Sequence, residues 1–375
     1  MSAPVNPAVN DVRELKQFIE LHARAQAIPG YRAILDRIGT DLGDGEGSWA
    51  GEWSRAADAL LARGRALEAC RHYAMARFPY PDGPARERAA LACVAAFGQW
   101  CRQKAPQVQR LELETSVGPL RCWAAGLSAH RPRPLLLIMG GIVSVKEQWA
   151  SVLPLVEKFG MAGIAAELPG VGENTLPYDA DSWRMLPALL DAVADRADVH
   201  HTYANTLSFS GQLALRAAAE DPRIRGVVTA GAPVRVFFTD RDWLARVPRI
   251  TADTLARLTG ARPGDPAGDL AGRLAPLALS DEQLDAIRIP VAYLNSRRDE
   301  IIPGAEAALL RERLADLRLV ENDDVHGSPL HVTETRIWTV LSVLRMRRVR
   351  NPQRVVLGAV WRALRARRAV RGAGR

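Results

Sequence analysis

The chain has 375 residues, is 48% hydrophobic and 25% charged, and carries a formal net charge of +8, which suits one large domain with a smaller one attached. No apolar run reaches the ~18 residues of a membrane-spanning helix. The four cysteines (Cys70, Cys93, Cys101 and Cys122) show neither a Cys-x-x-Cys pair nor zinc-ligand spacing, so free thiols, no metal and no cofactor are expected.

Residues 1–10 lack a basic stretch followed by an apolar one, so no secretory signal and a cytoplasmic location are expected. Residues 12–104 read as helical, with apolar positions at helical spacing in Leu15, Phe18 and Ile19 and again in Ala57, Leu60, Leu61 and Leu67. Loops are expected at 43–48 and 79–84, where Gly and Pro gather. Residues 1–106 are therefore expected to form a helical cap domain.

The texture changes at Val108. Residues 111–115 alternate, and 120–124 follow after a Gly-Pro turn, as paired antiparallel strands do. The apolar run 134–139 ends at Gly140-Gly141 and reads as a buried parallel strand. A helix is expected at 145–159, a strand at 162–168, a helix at 182–194, a strand at 202–208 and a helix at 211–220. Strands at 226–230 and 291–296, a helix at 305–315, a strand at 317–321 and a helix at 333–344 complete the pattern. Such alternation implies an α/β fold with a mostly parallel, doubly wound sheet over residues 107–345. A mainly helical insertion interrupts it at about 234–288, with two Pro/Gly-rich turns, placed to roof a site on the sheet's C-terminal edge.

Residues 346–375 form a basic tail. From Arg345 onward there are eleven arginines and no acidic residue, and without them the formal charge falls from +8 to −3. Basicity is thus a property of the tail, and no nucleic-acid partner is expected. Val355, Val356, Val360, Trp361 and Leu364 would share one apolar helix face among these arginines, as in a helix that docks on a membrane surface or a partner.

The chemistry centres on Thr206-Leu207-Ser208-Phe209-Ser210-Gly211, between a predicted strand and a predicted helix. A nucleophile elbow needs that context, which lifts a serine hydroxyl above the sheet. The usual flanking glycines are replaced by Thr206 and Ser210. The other parts follow in the chain order serine, acid, histidine. Asp299 comes directly after a predicted strand, with Glu300 as the adjacent alternative. His326 follows the last strand, with His331 a second candidate. His22, His72, His130, His200 and His201 lack that placement. Two backbone N–H groups must face the developing oxyanion. Phe209 would supply one, and the Gly140-Gly141-Ile142 turn the other, through Ile142.

From about residue 67 to 344 the chain resembles the FrsA-like α/β-hydrolases, a group that includes esterase-like proteins, pigment-pathway chain-shortening hydrolases and dihydroxypseudooxynicotine hydrolase. The likeness is carried by Gly140-Gly141-Ile142-Val143-Ser144-Val145-Lys146-Glu147, Leu168-Pro169-Gly170-Val171-Gly172-Glu173, the Ser208 elbow, Gly231-Ala232-Pro233-Val234 with Phe237-Phe238, and the helix around Ala66–Tyr73. Members often carry an acid where Val143 stands, so a mechanism using that carboxylate is disfavoured here. The resemblance implies a serine hydrolase with a Ser208–His326–Asp299 triad. Its substrate would be an acyl ester, lactone or thioester, or a C–C bond beside a ketone. Acyl transfer on the same triad, or a non-catalytic binding protein of the same fold, are the alternatives. A bulky polyketide-like or aromatic small molecule is the expected substrate, held near Gly140, Gly141, Val143, Phe237, Phe238 and Trp243. A homodimer is allowed but not required.

Overall fold

A computed structural model describes residues 10–261 and 267–373. Eight strands form one sheet: β1 (Gln109–Thr115), β2 (Gly118–Ala125), β3 (Pro134–Met139), β4 (Ala162–Ala166), β5 (Asp198–Thr206), β6 (Ile224–Ala230), β7 (Val291–Ser296) and β8 (Leu317–Asn322). Their order is β1-β2-β4-β3-β5-β6-β7-β8. The β1–β2 hairpin joins β4 antiparallel, while β3 to β8 run parallel. All parallel strands therefore end on one edge, and the loops that follow them meet there.

Local chemistry explains two departures from the expected elements. The helix expected at 145–159 is two short ones, Glu147–Ala150 and Leu153–Lys158. Pro154 has no N–H to donate within a continuous helix, and it sits instead in the first turn of the second. Strand β5 begins at Asp198 rather than 202, because a register shift against β3 lets Pro134 pair with Asp198. His200 and His201 thus lie in a strand, with both side chains exposed. The insertion is helical, as expected, at Val236–Thr239, Arg241–Leu244, Arg249–Leu258, Ala267–Leu274 and Asp281–Ala286. Its second Pro/Gly-rich turn falls partly on residues 262–266, outside the described residues.

Side chains alternate across the sheet. Leu135, Leu137 and Met139 join one core cluster. Leu136 and Ile138 join another, which also holds Trp49, Trp53, Phe78 and Phe97 from the N-terminal helices. The ring of Phe97 meets that of Trp123 on β2 edge-on, with centroids 4.9 Å apart. The N-terminal helices thus share their core with one face of the sheet. A chain beginning at Gln107 is expected to aggregate or to unfold without cooperativity, since Trp123, Leu136 and Ile138 would lose their cover. Burial of each such side chain is worth about 1.5–3 kcal/mol. Gel filtration and thermal unfolding test this, and a soluble short chain with a sharp, full-length-like transition would contradict it.

The tail folds back as the helix Pro352–Ala373. Arg365 donates to Asn322 Oδ1 (3.1 Å) and to the Glu321 carbonyl (3.2 Å), and Arg368 to Glu334 (2.8 Å). The single apolar face expected there is divided. Trp361 and Leu364 are half-buried, whereas Val355, Val356 and Val360 are exposed. No helix among the described residues is long and apolar enough to cross a membrane. All four cysteines are buried thiols, and among the described residues no group of His, Cys, Asp or Glu could hold a metal ion.

Candidate active site

Strand β5 ends at Thr206 and a helix begins at Phe209, so the chain reverses at Leu207 and Ser208. Ser208 takes φ 55° and ψ −131°, a conformation that costs a residue with a Cβ about 1–3 kcal/mol. Backbone hydrogen bonds to both neighbouring strands impose it. Leu207 N–H donates to the Met139 carbonyl (3.0 Å) and Ser208 N–H to the Ala230 carbonyl (2.9 Å). Gly211 N–H then donates to the Ser208 carbonyl (2.8 Å).

The turn is made without the usual flanking glycines. The Ser210 hydroxyl turns back and donates to the Leu207 carbonyl (2.9 Å). The glycine that close packing does demand is Gly211. A Cβ there would lie 2.2 Å from Thr229 Oγ1 and 2.6 Å from Ala232 Cβ.

Ser208 Oγ lies 3.0 Å from His326 Nε2. His326 Nδ1 lies 2.9 Å from Asp299 Oδ2 and 3.0 Å from Oδ1. Asp299 is held in turn by the amides of Ile301 (3.0 Å) and Ile302 (2.8 Å). Glu300, the adjacent acid, accepts instead from the His326 backbone N–H (3.0 Å). His331 pairs with Asp324 (2.7 Å), which also accepts from the Leu330 amide (2.8 Å), so it braces the loop that carries His326. Gly231, at φ +57°, leaves room for the imidazole; a Cβ there would stand 2.9 Å from His326 Cε1.

Burial opposes protonation of His326. The charge and hydrogen bond of Asp299, with the charge of Glu300, outweigh it and hold the pKa above 6.5. A base must be neutral to accept a proton, so kcat/KM is expected to fall as pH drops through that raised value. A pH–rate profile on an ester whose chemistry limits turnover checks this, and an acid limb centred at or below about 6 would contradict it.

The Ile142 and Phe209 amides face no acceptor among the described residues. Gly141 brings this turn against the serine: a Cβ at 141 would lie 3.0 Å from Ser208 Cβ and 3.3 Å from its Oγ. Gly140 has a different duty. Its missing side chain makes room for Trp149 Nε1, 2.3 Å from where a Cβ would be. The Val143 carbonyl accepts from the Arg77 guanidinium of the N-terminal helices.

Set beside known proteins, residues 16–321 match the Esterase FrsA-like family model. The chain belongs to the FrsA-like esterase family. It is an α/β-fold hydrolase. Esterase FrsA of Vibrio cholerae serotype O1 is 24% identical over 313 residues, spanning 78% of this chain and 74% of that protein. That of Vibrio vulnificus is 22% identical over 295 residues, spanning 72% and 69%. Wild-type AbyA5 is 49% identical and superposes with a TM-score of 0.90 over 95% of this chain and 100% of that one. The 2,6-dihydroxy-pseudo-oxynicotine hydrolase, 19% identical, shares the fold with a TM-score of 0.69 over 87% of this chain and 95% of its own.

In this FrsA-like chain two residues expected to line the substrate site, Phe237 and Phe238, are core, and a third, Trp243, is half-buried beside the Asp299 loop. Phe237 and Phe238 are 0% and 1% exposed. Their rings pack edge-on against Phe209, with centroids 5.1 and 6.3 Å away. They form core behind the elbow and have no surface to offer a ligand. Trp243 donates its indole N–H to the Ile301 carbonyl (2.7 Å), which steadies the Asp299 loop.

Two features escaped the sequence reading. His22, on the helix Val12–Ala25, meets the Phe78 ring at a tilt, with centroids 5.3 Å apart. Burial, then the charges of Arg77 and His326, push its pKa down to about 3, so it brings a neutral imidazole toward the base. Its place on the stripe of Leu15 and Ile19 was the available signal. The second is a buried ion cluster just beyond the Ile142 turn. Lys146 Nζ lies 2.7 Å from Glu173, 3.1 Å from Glu147 and 3.2 Å from Glu167. Lys146, Glu147 and Glu167 are all but inaccessible. Burial, only partly offset by Lys146, pushes Glu167 up to about 7.

Proposed function

We propose that Ser208 attacks a substrate carbonyl, with His326 as its base and Asp299 orienting the imidazole. The carrying observation is the unbroken relay from Ser208 Oγ to His326 (3.0 Å) and on to Asp299 (2.9 Å), set on a strained elbow. In acylation, His326 takes the hydroxyl proton and returns it to the departing group. In deacylation, it takes a proton from water. The Ile142 and Phe209 amides would stabilise the negative charge that develops on the carbonyl oxygen. Every step uses groups of the chain itself and water.

The substrate is an acyl ester, lactone or thioester, or a ketone-flanked C–C bond, of a bulky polyketide-like or aromatic molecule. Cover over the sheet edge supports that size. Glu14 of the first helix accepts from the Ile250 amide of the insertion (3.1 Å). Arg257 of the insertion donates to the Pro81 carbonyl (3.1 Å) and lies over the Tyr80 ring at 5.1 Å. The two flanking segments therefore meet each other, and a site closed by them would exclude water and strengthen its dipoles. Val143 has no proton to exchange, which favours ester-type over carboxylate-assisted C–C cleavage.

A fluorophosphonate probe tests the nucleophile. Mass spectrometry is expected to find the adduct on Ser208. A series of esters of rising acyl size tests the substrate class, with kcat/KM expected to rise along it. An unlabelled protein would make the fold a binding scaffold, and a flat series would make it an open esterase.

A further inference from the structure

On the opposite edge of the sheet, where the parallel strands begin, lies a pocket of about 710 Å³. Arg225 from β6, Arg288 before β7, Arg318 from β8, Arg345 in the last turn of the helix Val332–Met346, and Arg347 and Arg348 just after it line the pocket. Against these six cations the lining carries one carboxylate, Asp316, among the described residues.

Several surface arginines elsewhere are paired. Arg184 meets Asp181 at 2.8 Å, Arg216 meets Glu220 at 2.7 Å and Arg223 meets Asp191 at 2.6 Å. Arg225, Arg288, Arg318, Arg345 and Arg348 make no side-chain hydrogen bond or ion pair with the described residues, and Arg347 holds only the Phe159 carbonyl (2.9 Å). Burial, then the charges of Arg318, Arg354 and Arg362, hold the Arg345 pKa below its ordinary value. The cations therefore repel one another, with Asp316 the one carboxylate among them in the described lining. The floor adds an independent sign. The Ser342 hydroxyl, on a residue 1% exposed, has no hydrogen-bond partner, and an unmet buried hydroxyl is costly.

We propose that this pocket binds a small phosphorylated molecule carrying two or more negative charges. Guanidinium groups match phosphate oxygens in pairs. Several cations spread over a cavity of this size call for more than one anionic group, and the volume is that of an ordinary small-molecule site. Its concave form, with Tyr203 and Met346 in the lining, suits a soluble ligand that enters better than a flat lipid surface. The pocket stands apart from Ser208, which follows the far end of β5, so its ligand is not the substrate of the hydrolytic site.

Pyrophosphate is the probe, with chloride at matched ionic strength as the reference. Calorimetry is expected to show saturable binding of one pyrophosphate per chain, with a rise in the thermal midpoint. The double variant Arg318→Ala/Arg345→Ala is expected to weaken binding by about tenfold or more, the loss of at least one charge-assisted contact. Its turnover of a simple ester should match that of the unaltered protein. A second pair, Arg225→Ala/Arg288→Ala, should weaken binding likewise, while Arg184→Ala should not. No saturable binding, or binding indifferent to both double variants, overturns the proposal. So does co-sedimentation with phosphatidylglycerol vesicles in the absence of pyrophosphate binding, which would assign the surface to a lipid.

Discussion

Ser208→Ala is expected to lower kcat by about 10⁴–10⁶-fold while leaving the thermal midpoint nearly in place. The hydroxyl makes one hydrogen bond, to His326 at 3.0 Å, on a half-buried residue. Losing it costs about 1 kcal/mol. Alanine inherits the strain of φ 55°, whereas Ser208→Gly, equally inactive, relieves it and should be the more stable of the two by about 1–2 kcal/mol. Ser210→Ala is the control. It removes the bond to the Leu207 carbonyl but no reacting group, so turnover should stay within about tenfold of the starting protein. Steady-state kinetics and thermal unfolding on the four proteins decide the matter. Activity in Ser208→Ala together with its loss in Ser210→Ala would place the nucleophile two residues further on.

Lys146→Met should be the most destabilising single change away from the serine. The methionine keeps the stem's volume but withdraws the only cation within 3.2 Å of both Glu147 and Glu167 among the described residues. Removing one partner of a buried ion cluster costs about 3–5 kcal/mol, a large part of the roughly 5–15 kcal/mol that holds a domain together. The loss has a pH signature. Lys146 is what lowers the Glu167 pKa against burial, so without it that carboxyl rises further above its unfolded value. A group raised on folding favours the folded state at low pH and loses that contribution as pH rises through its folded pKa. The deficit of Lys146→Met relative to the parent should therefore shrink between about pH 8 and about pH 5. Urea unfolding at both pH values measures it. A deficit that is small at pH 8, or that grows on acidification, would show that the cluster does not hold its charges as described. Turnover should fall too, since Glu167 also accepts from the Lys146 amide (3.2 Å) next to the Ile142 turn.

What the amino-acid sequence determined by itself was whatever repeats or orders locally. A buried strand shows in its apolar run, as in residues 134–139, and a helix in its period, so the parallel sheet could be laid out strand by strand. The placement of Ser208, Asp299 and His326 followed, because each lies just beyond a strand's C-terminal end and parallel strands bring those ends together. The weak point was the elbow, since Thr206 and Ser210 lack the glycine signature. There the backbone bonds to Met139 and Ala230 impose a turn that the residue types do not announce. Only the tertiary structure could decide what depends on partners distant in the chain. Phe237 and Phe238 read as pocket walls because aromatic type says nothing of which way a ring is packed, and Phe209 turns them into core. Nothing local marks Lys146 as buried, and only the fold closes Glu167 and Glu173 around it. His22 comes to Phe78, and Arg77 to the Val143 carbonyl, only because the N-terminal helices pack together and onto the sheet. The six arginines of the cationic pocket come from three strand starts and the end of a helix. Their mutual repulsion is a property of distance in space, which no spacing in the chain records.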